Sequence, residues 1–101
     1  MPAAAYTVQG LGAATCAEFG KQYRVEPSGV ETAYFGWAQG YMSGLNMMAQ
    51  SQNLPARELS LDLPAQQQTI RQFCADNPLR NYMDAATHLY GKQPISPFTP
   101  K

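Results

Sequence analysis

Thr15-Cys16-Ala17-Glu18-Phe19-Gly20-Lys21-Gln22-Tyr23 carries three signals at once. Threonine and the glutamate three positions later form a capping box. The hydroxyl can accept the free N–H of residue 18 while the carboxylate reaches back to the threonine N–H. A helix over about residues 16–24 follows. Cys16, Phe19 and Tyr23 recur at three- and four-residue steps, so they share its apolar stripe. A second cysteine has the same setting, because Ile70, Phe73 and Cys74 share the stripe of a helix expected over about 65–76. Both sulfurs should point into one core, where Cys16 and Cys74 can close a disulfide between an early and a late helix. The expected fold is mainly α: a small four-helix domain tied by one disulfide.

Between the cysteines, Ser28-Gly29-Val30-Glu31 is a second capping box preceded by Pro27, and it opens the longest helix, about 29–51. Val30, Tyr34, Trp37, Tyr41, Leu45 and Met48 give this helix a wide apolar face. Beside them stand Gly36, Gly40 and Gly44, four residues apart. Three interior glycines are unfavourable by roughly 2–3 kcal/mol in total against alanine. A backbone packed closely on the strip would offset that. Internal packing at Gly40 is the first expectation, with Gly40→Leu then destabilising; a homodimer seam or a ligand groove are the alternatives. Residues 51–64 form a connection in which Leu59-Ser60-Leu61-Asp62-Leu63 alternates like a strand without a partner. It reads as an extended crossing that lays leucines over the helices. Asn77-Pro78 reads as the start of the fourth helix, which runs to Tyr90, stops at Gly91 and turns Leu79, Tyr82, Met83, Ala86, Leu89 and Tyr90 inward. The domain organisation is an irregular lead-in over 1–14, a single helical domain over 15–91, and a proline-rich tail over 92–101, either disordered or an extended arm.

The chain of 101 residues is one domain with a thin core. Seven basic residues balance seven acidic ones, and without a Lys/Arg cluster there is no electrostatic footprint for nucleic acid or anionic lipid. No run of apolar residues is long enough to span a membrane. Only 14% of the chain is charged while 11% is aromatic, so part of the aromatic surface either fills the core or meets a protein partner. Met1-Pro2-Ala3-Ala4-Ala5-Tyr6 resembles the small-residue end of a secretory signal, removed and replaced by a start methionine. With the cysteine pair, this favours an oxidising compartment, most simply the periplasm, over a cytosolic protein with two buried thiols.

Candidate chemistry is sparse. His88 is the only histidine, and Asp84 one turn earlier can form an exposed ion pair with it. Cys16 and Cys74 lack the C-x-x-C spacing of a thiol–disulfide catalyst, and Glu18, Glu26, Glu31 and Glu58 read as caps or solvated charges. The expectation is therefore no enzyme, no catalytic residue, no metal and no cofactor.

Thr15-Cys16-Ala17-Glu18-Phe19, then a helix containing Trp37-Ala38-Gln39-Gly40-Tyr41, then Phe73-Cys74-Ala75-Asp76-Asn77-Pro78 together resemble the HdeA-type periplasmic acid-stress chaperones. The likeness spans roughly residues 15–90 through short motifs. It implies an all-helical exported protein with one disulfide, dimeric near neutral pH, that loosens in acid and holds unfolding clients. The same scaffold also looks like exported immunity or inhibitor proteins that bind one toxin. The expected partners are thus proteins, either unfolding clients or one specific exported partner. The candidate binding residues are Trp37, Gly40, Tyr41, Gly44, Met47 and Met48; small-molecule binding beside the glycine strip is a further alternative.

Overall fold

A computed structural model describes residues 8–97. Among them are a 3-10 turn at Gly10–Ala13 and four helices: α1 Cys16–Val25, α2 Pro27–Ser51, α3 Leu63–Asp76 and α4 Tyr82–Lys92. The described residues form no strand, only two isolated bridges, Thr15 with Asn81 and Arg57 with Ile95. The mainly α, four-helix, disulfide-tied architecture is the one the apolar stripes predict.

The capping box at the head of α1 is present in both directions, with Glu18 N–H donating to Thr15 Oγ1 at 3.0 Å and Thr15 N–H to Glu18 Oε1 at 2.8 Å. Cys16 on α1 and Cys74 on α3 are joined, with their Cα atoms 4.7 Å apart. Phe19 leans from the same stripe into an aromatic centre. Its ring lies 4.9 Å from that of Tyr34 on α2 and 5.0 Å from that of Tyr82 on α4. Ile70, Ala38, Met42, Ala85, Ala86 and Leu89 are buried around this trio. α3 packs most extensively on α4, and α1 lies against both α2 and α3.

Two helix starts differ from the sequence expectation. α2 begins at Pro27, and its cap is the Glu26 carboxylate, which accepts from Val30 N–H at 3.2 Å; Ser28 lies inside the helix, its carbonyl accepting from Thr32. α4 begins at Tyr82, not at Pro78. Asn77 instead ends α3, and the carbonyls of Pro78 and Arg80 accept the N–H groups of Ala17 and Cys16 at 3.0 and 2.7 Å. The segment is thus consumed in satisfying the otherwise free donors at the head of α1. Asn81 with Asp84 supplies a complete capping box four residues later. As a result Leu79, expected inside, is 93% exposed.

Side-chain-to-backbone hydrogen bonds hold the connection between α2 and α3. Asn46 both donates to Arg57 O at 2.9 Å and accepts from Arg57 N–H at 2.8 Å, and Tyr90 donates to the same Asn46 amide oxygen at 2.7 Å. Gln66, buried on α3, donates to the carbonyls of Leu59 and Leu61. Arg57 in turn donates to the carbonyls of Gly91, in the last turn of α4, and Gln93, its C-cap. Of Leu59, Leu61 and Leu63 only Leu59 packs on the core. Leu61 and Leu63 are exposed, so the expected crossing lays only one of the three over the helices. Residues 94–97 of the tail run as an extended arm along this connection, with Glu58 N–H donating to Pro94 O and Ser96 N–H to Ala56 O, each at 2.8 Å. The start of the chain through residue 7, with its signal-like alanines, and the end from residue 98 lie outside the described residues.

Candidate functional site: the outer face of α2

At about 1.5 Å per residue, α2 is roughly 37 Å long, and no described helix is long and apolar enough to cross a membrane. Its inner side carries Tyr34, Phe35, Ala38 and Met42, all buried. The outer side carries the glycine strip. A Cβ built on Gly36, Gly40 or Gly44 would meet nothing within 4 Å, and all three residues are exposed. The expected internal packing at Gly40 is therefore absent. The inner face closes around buried Tyr34, Ala38 and Met42, and the glycines point the other way. Met47, three turns beyond Gly36, falls on the same line, and Met48 beside it is also exposed, at 67% and 61% respectively. Met48, assigned from spacing to the apolar face, thus lies outside the core.

Trp37 and Tyr41, grouped with the strip from sequence, are half-buried beside it and pack on the 3-10 turn and α4. The Trp37 indole covers Gly12 so closely that a Cβ there would lie 2.0 Å from the ring, and Nε1–H donates to Gln9 O at 3.1 Å. Tyr41 stacks on Trp37 with centroids 5.3 Å apart and shares a 2.7 Å hydrogen bond with Thr87. The pair forms a ridge that pins the 3-10 turn along one edge of the strip. Past Met47 the exposed face opens into a groove of about 630 Å³ between α2 and the linker, bordered by Leu59, Leu63 and Asn46.

Away from this face, Asp84 pairs with Arg80 at 3.0 Å and completes the α4 cap, so it does not pair with His88, whose ring packs 5.0 Å from Phe73. Glu31, read as a cap, is instead 12% exposed and ion-paired to Arg71 across α2 and α3. Burial pushes its carboxyl up from the usual range, and the hydrogen bond and charge of Arg71 pull it partly back. Nearby, burial holds the Tyr82 phenol far above its ordinary pKa, with the Glu31 charge adding to the effect. Among the described residues no group of three or more His, Cys, Asp or Glu is placed to hold a metal.

Sequence reasoning missed a second concavity, a cleft of about 440 Å³ between α1 and α3, floored by the Cys16–Cys74 bridge and flanked by Tyr23, Arg24 and Arg71. Its one sequence signal is Gly20, a glycine inside a short helix. A Cβ at that position would find only the Arg24 guanidinium, 3.6 Å away. Compared with protein-family models, curated proteins and solved structures, the chain matches none.

Proposed function

We propose that this is an exported, periplasmic protein-binding domain that holds apolar segments of unfolding client proteins along the outer face of α2. One observation carries the reading. The longest helix gives up roughly 2–3 kcal/mol of helix propensity at three glycines that no part of the described chain covers. A stability loss kept on a bare surface suits a surface used for contact. The glycines let another backbone approach closely, while Met47 and Met48 offer flexible, polarizable side chains that adapt to varied sequences. The disulfide favours an oxidising compartment. The resemblance to acid-stress chaperones supports acid as the trigger: at pH 2 the carboxylates are neutral, and seven basic groups plus His88 repel one another.

The test is light scattering from an acid-labile client at pH 2–3, with equimolar to several-fold excess of this protein. Scattering should fall, and Gly40→Leu, which fills the strip, should abolish the effect. If scattering matches that with an inert protein of equal size, the client-holding reading is lost. The second reading is a binder of one exported partner, of the immunity or inhibitor kind. The pinned Trp37–Tyr41 ridge favours it, since a fixed border selects shape. A stoichiometric complex recovered from periplasmic extract at neutral pH, lost in Gly40→Leu, would establish it.

A further inference from the structure

The cleft between α1 and α3 lies outside the α2 face and has a different chemistry. Its floor is apolar and low: the disulfide, Ala17 and Gly20 from α1, and Ala75 from α3. At about 440 Å³ it falls among pockets that hold small organic groups, about 300–1,000 Å³. Tyr23 forms one wall. Arg71 lies over that ring with its guanidinium carbon 5.2 Å from the centroid, and its Nη1 is ion-paired to Glu31. The second cation, Arg24, folds back over Gly20 into the cleft and has no ion-pair partner among the described residues. No carboxylate lines the cleft. In a chain with balanced charge, two guanidinium groups thus converge on an apolar floor, and only one of them is neutralised.

We propose that this cleft binds a carboxylate carried on a short apolar body, the apolar part resting on the disulfide and Tyr23 and the carboxylate meeting Arg24 and the free edge of Arg71. Guanidinium groups pair with carboxylates through charge-assisted, often two-pronged hydrogen bonds, and a desolvating apolar floor strengthens them. Two sources share this chemistry, a free organic acid and the C-terminal carboxylate of a protein chain with an apolar last residue. Gly20 is what keeps the floor low: any larger side chain there would occupy the ligand's place.

Titration of the intact, oxidised protein with phenylpropanoate and with its neutral amide, followed through backbone amide resonances, tests the proposal. The acid should shift Ala17, Gly20 and Ala75 and bind about tenfold more tightly than the amide. Arg24→Gln should remove that preference, and Gly20→Leu should abolish binding while leaving the melting temperature equal or higher, since leucine is the better helix former and the space is open. Equal binding of acid and amide, shifts confined to other residues, or unchanged binding by Gly20→Leu would each overturn it. A short peptide ending in phenylalanine, as free acid and as C-terminal amide, separates the sources. Tighter binding of the peptide acid than of phenylpropanoate assigns the site to protein C-termini; equal or weaker binding assigns it to free acids. Because Gly40 lies on α2, outside the cleft between α1 and α3, Gly40→Leu should leave this titration unchanged even where it abolishes client holding.

Discussion

Gly12 and Trp37 make one locked contact. The indole occupies the space a side chain at residue 12 would need, and a rigid ring cannot yield as a flexible chain would. Gly12→Ala should therefore displace the ring and destabilise by roughly 1–3 kcal/mol. Trp37 is the only tryptophan, so a red shift of its emission reports the displacement directly. The two buried tyrosines differ in another way. Tyr34 donates to Gln22 at 3.1 Å, whereas the Tyr82 hydroxyl is buried with no partner among the described residues. Removing a bonded hydroxyl costs about 1 kcal/mol and removing an orphaned one is nearly neutral, so chemical denaturation should find Tyr34→Phe clearly less stable than Tyr82→Phe. Acid acts on individual carboxylates in opposite senses. Glu18 has its pKa lowered, chiefly by the Thr15 backbone N–H and then by its hydroxyl, so its contribution is present above the usual glutamate range and lost as pH falls through the folded value. Glu31 is raised by burial, so its titration favours the folded state as pH falls and works against it as pH rises. Glu18→Gln should then flatten the loss of stability below about pH 4.5, read from urea midpoints between pH 3 and 6; an unchanged acid limb would remove Glu18 from the account.

Among the elements, α2 shows how far patterning reaches. Spacing identified a long amphipathic helix and a glycine strip, because both are properties of one continuous segment. It could not say which side of the helix the fold would cover, since Phe35, Ala38 and Met42 complete the buried face only once α1 and α4 are in place. The start of α4 departs from its local pattern for a related reason. Asn77-Pro78 is locally a good helix start, but the carbonyls of Pro78 and Arg80 are taken by the distant head of α1. The cysteine pairing was legible from two short stripes, whereas the arginine cleft joins residues from two helices and leaves almost no local trace. Exposure of the strip reverses the expected sign for Gly40→Leu. With open space above it, the substitution should raise stability by about 0.5–1 kcal/mol through helix propensity alone. A higher melting temperature confirms the bare strip, and a lower one would mean that something in the chain does cover it.

For the molecule as a whole, the disulfide closes a loop with a sequence separation of 58. The chain-entropy estimate for such a loop is about 4 kcal/mol, a large part of the 5–15 kcal/mol typical of a domain. Reduction should accordingly lower the melting temperature by on the order of 15–30 °C, using about 4–8 °C per kcal/mol for a chain of this size; a calorimetric shift of only a few degrees would show that packing suffices without the bridge. The hydrogen bonds at the head of α1 reach equally far, from Cys16 and Ala17 to Arg80 and Pro78, with Tyr82 N–H returning to Ala14 O at 2.8 Å. These contacts have a consequence for the order of events at birth. The hydrogen bonds at the head of α1 cannot close until residues 26–80, more than half of the 101, have followed that helix. The start of α1 is therefore fixed late, after α2 and α3 have been made, although the helix itself is closed at once by its own Thr15–Glu18 cap.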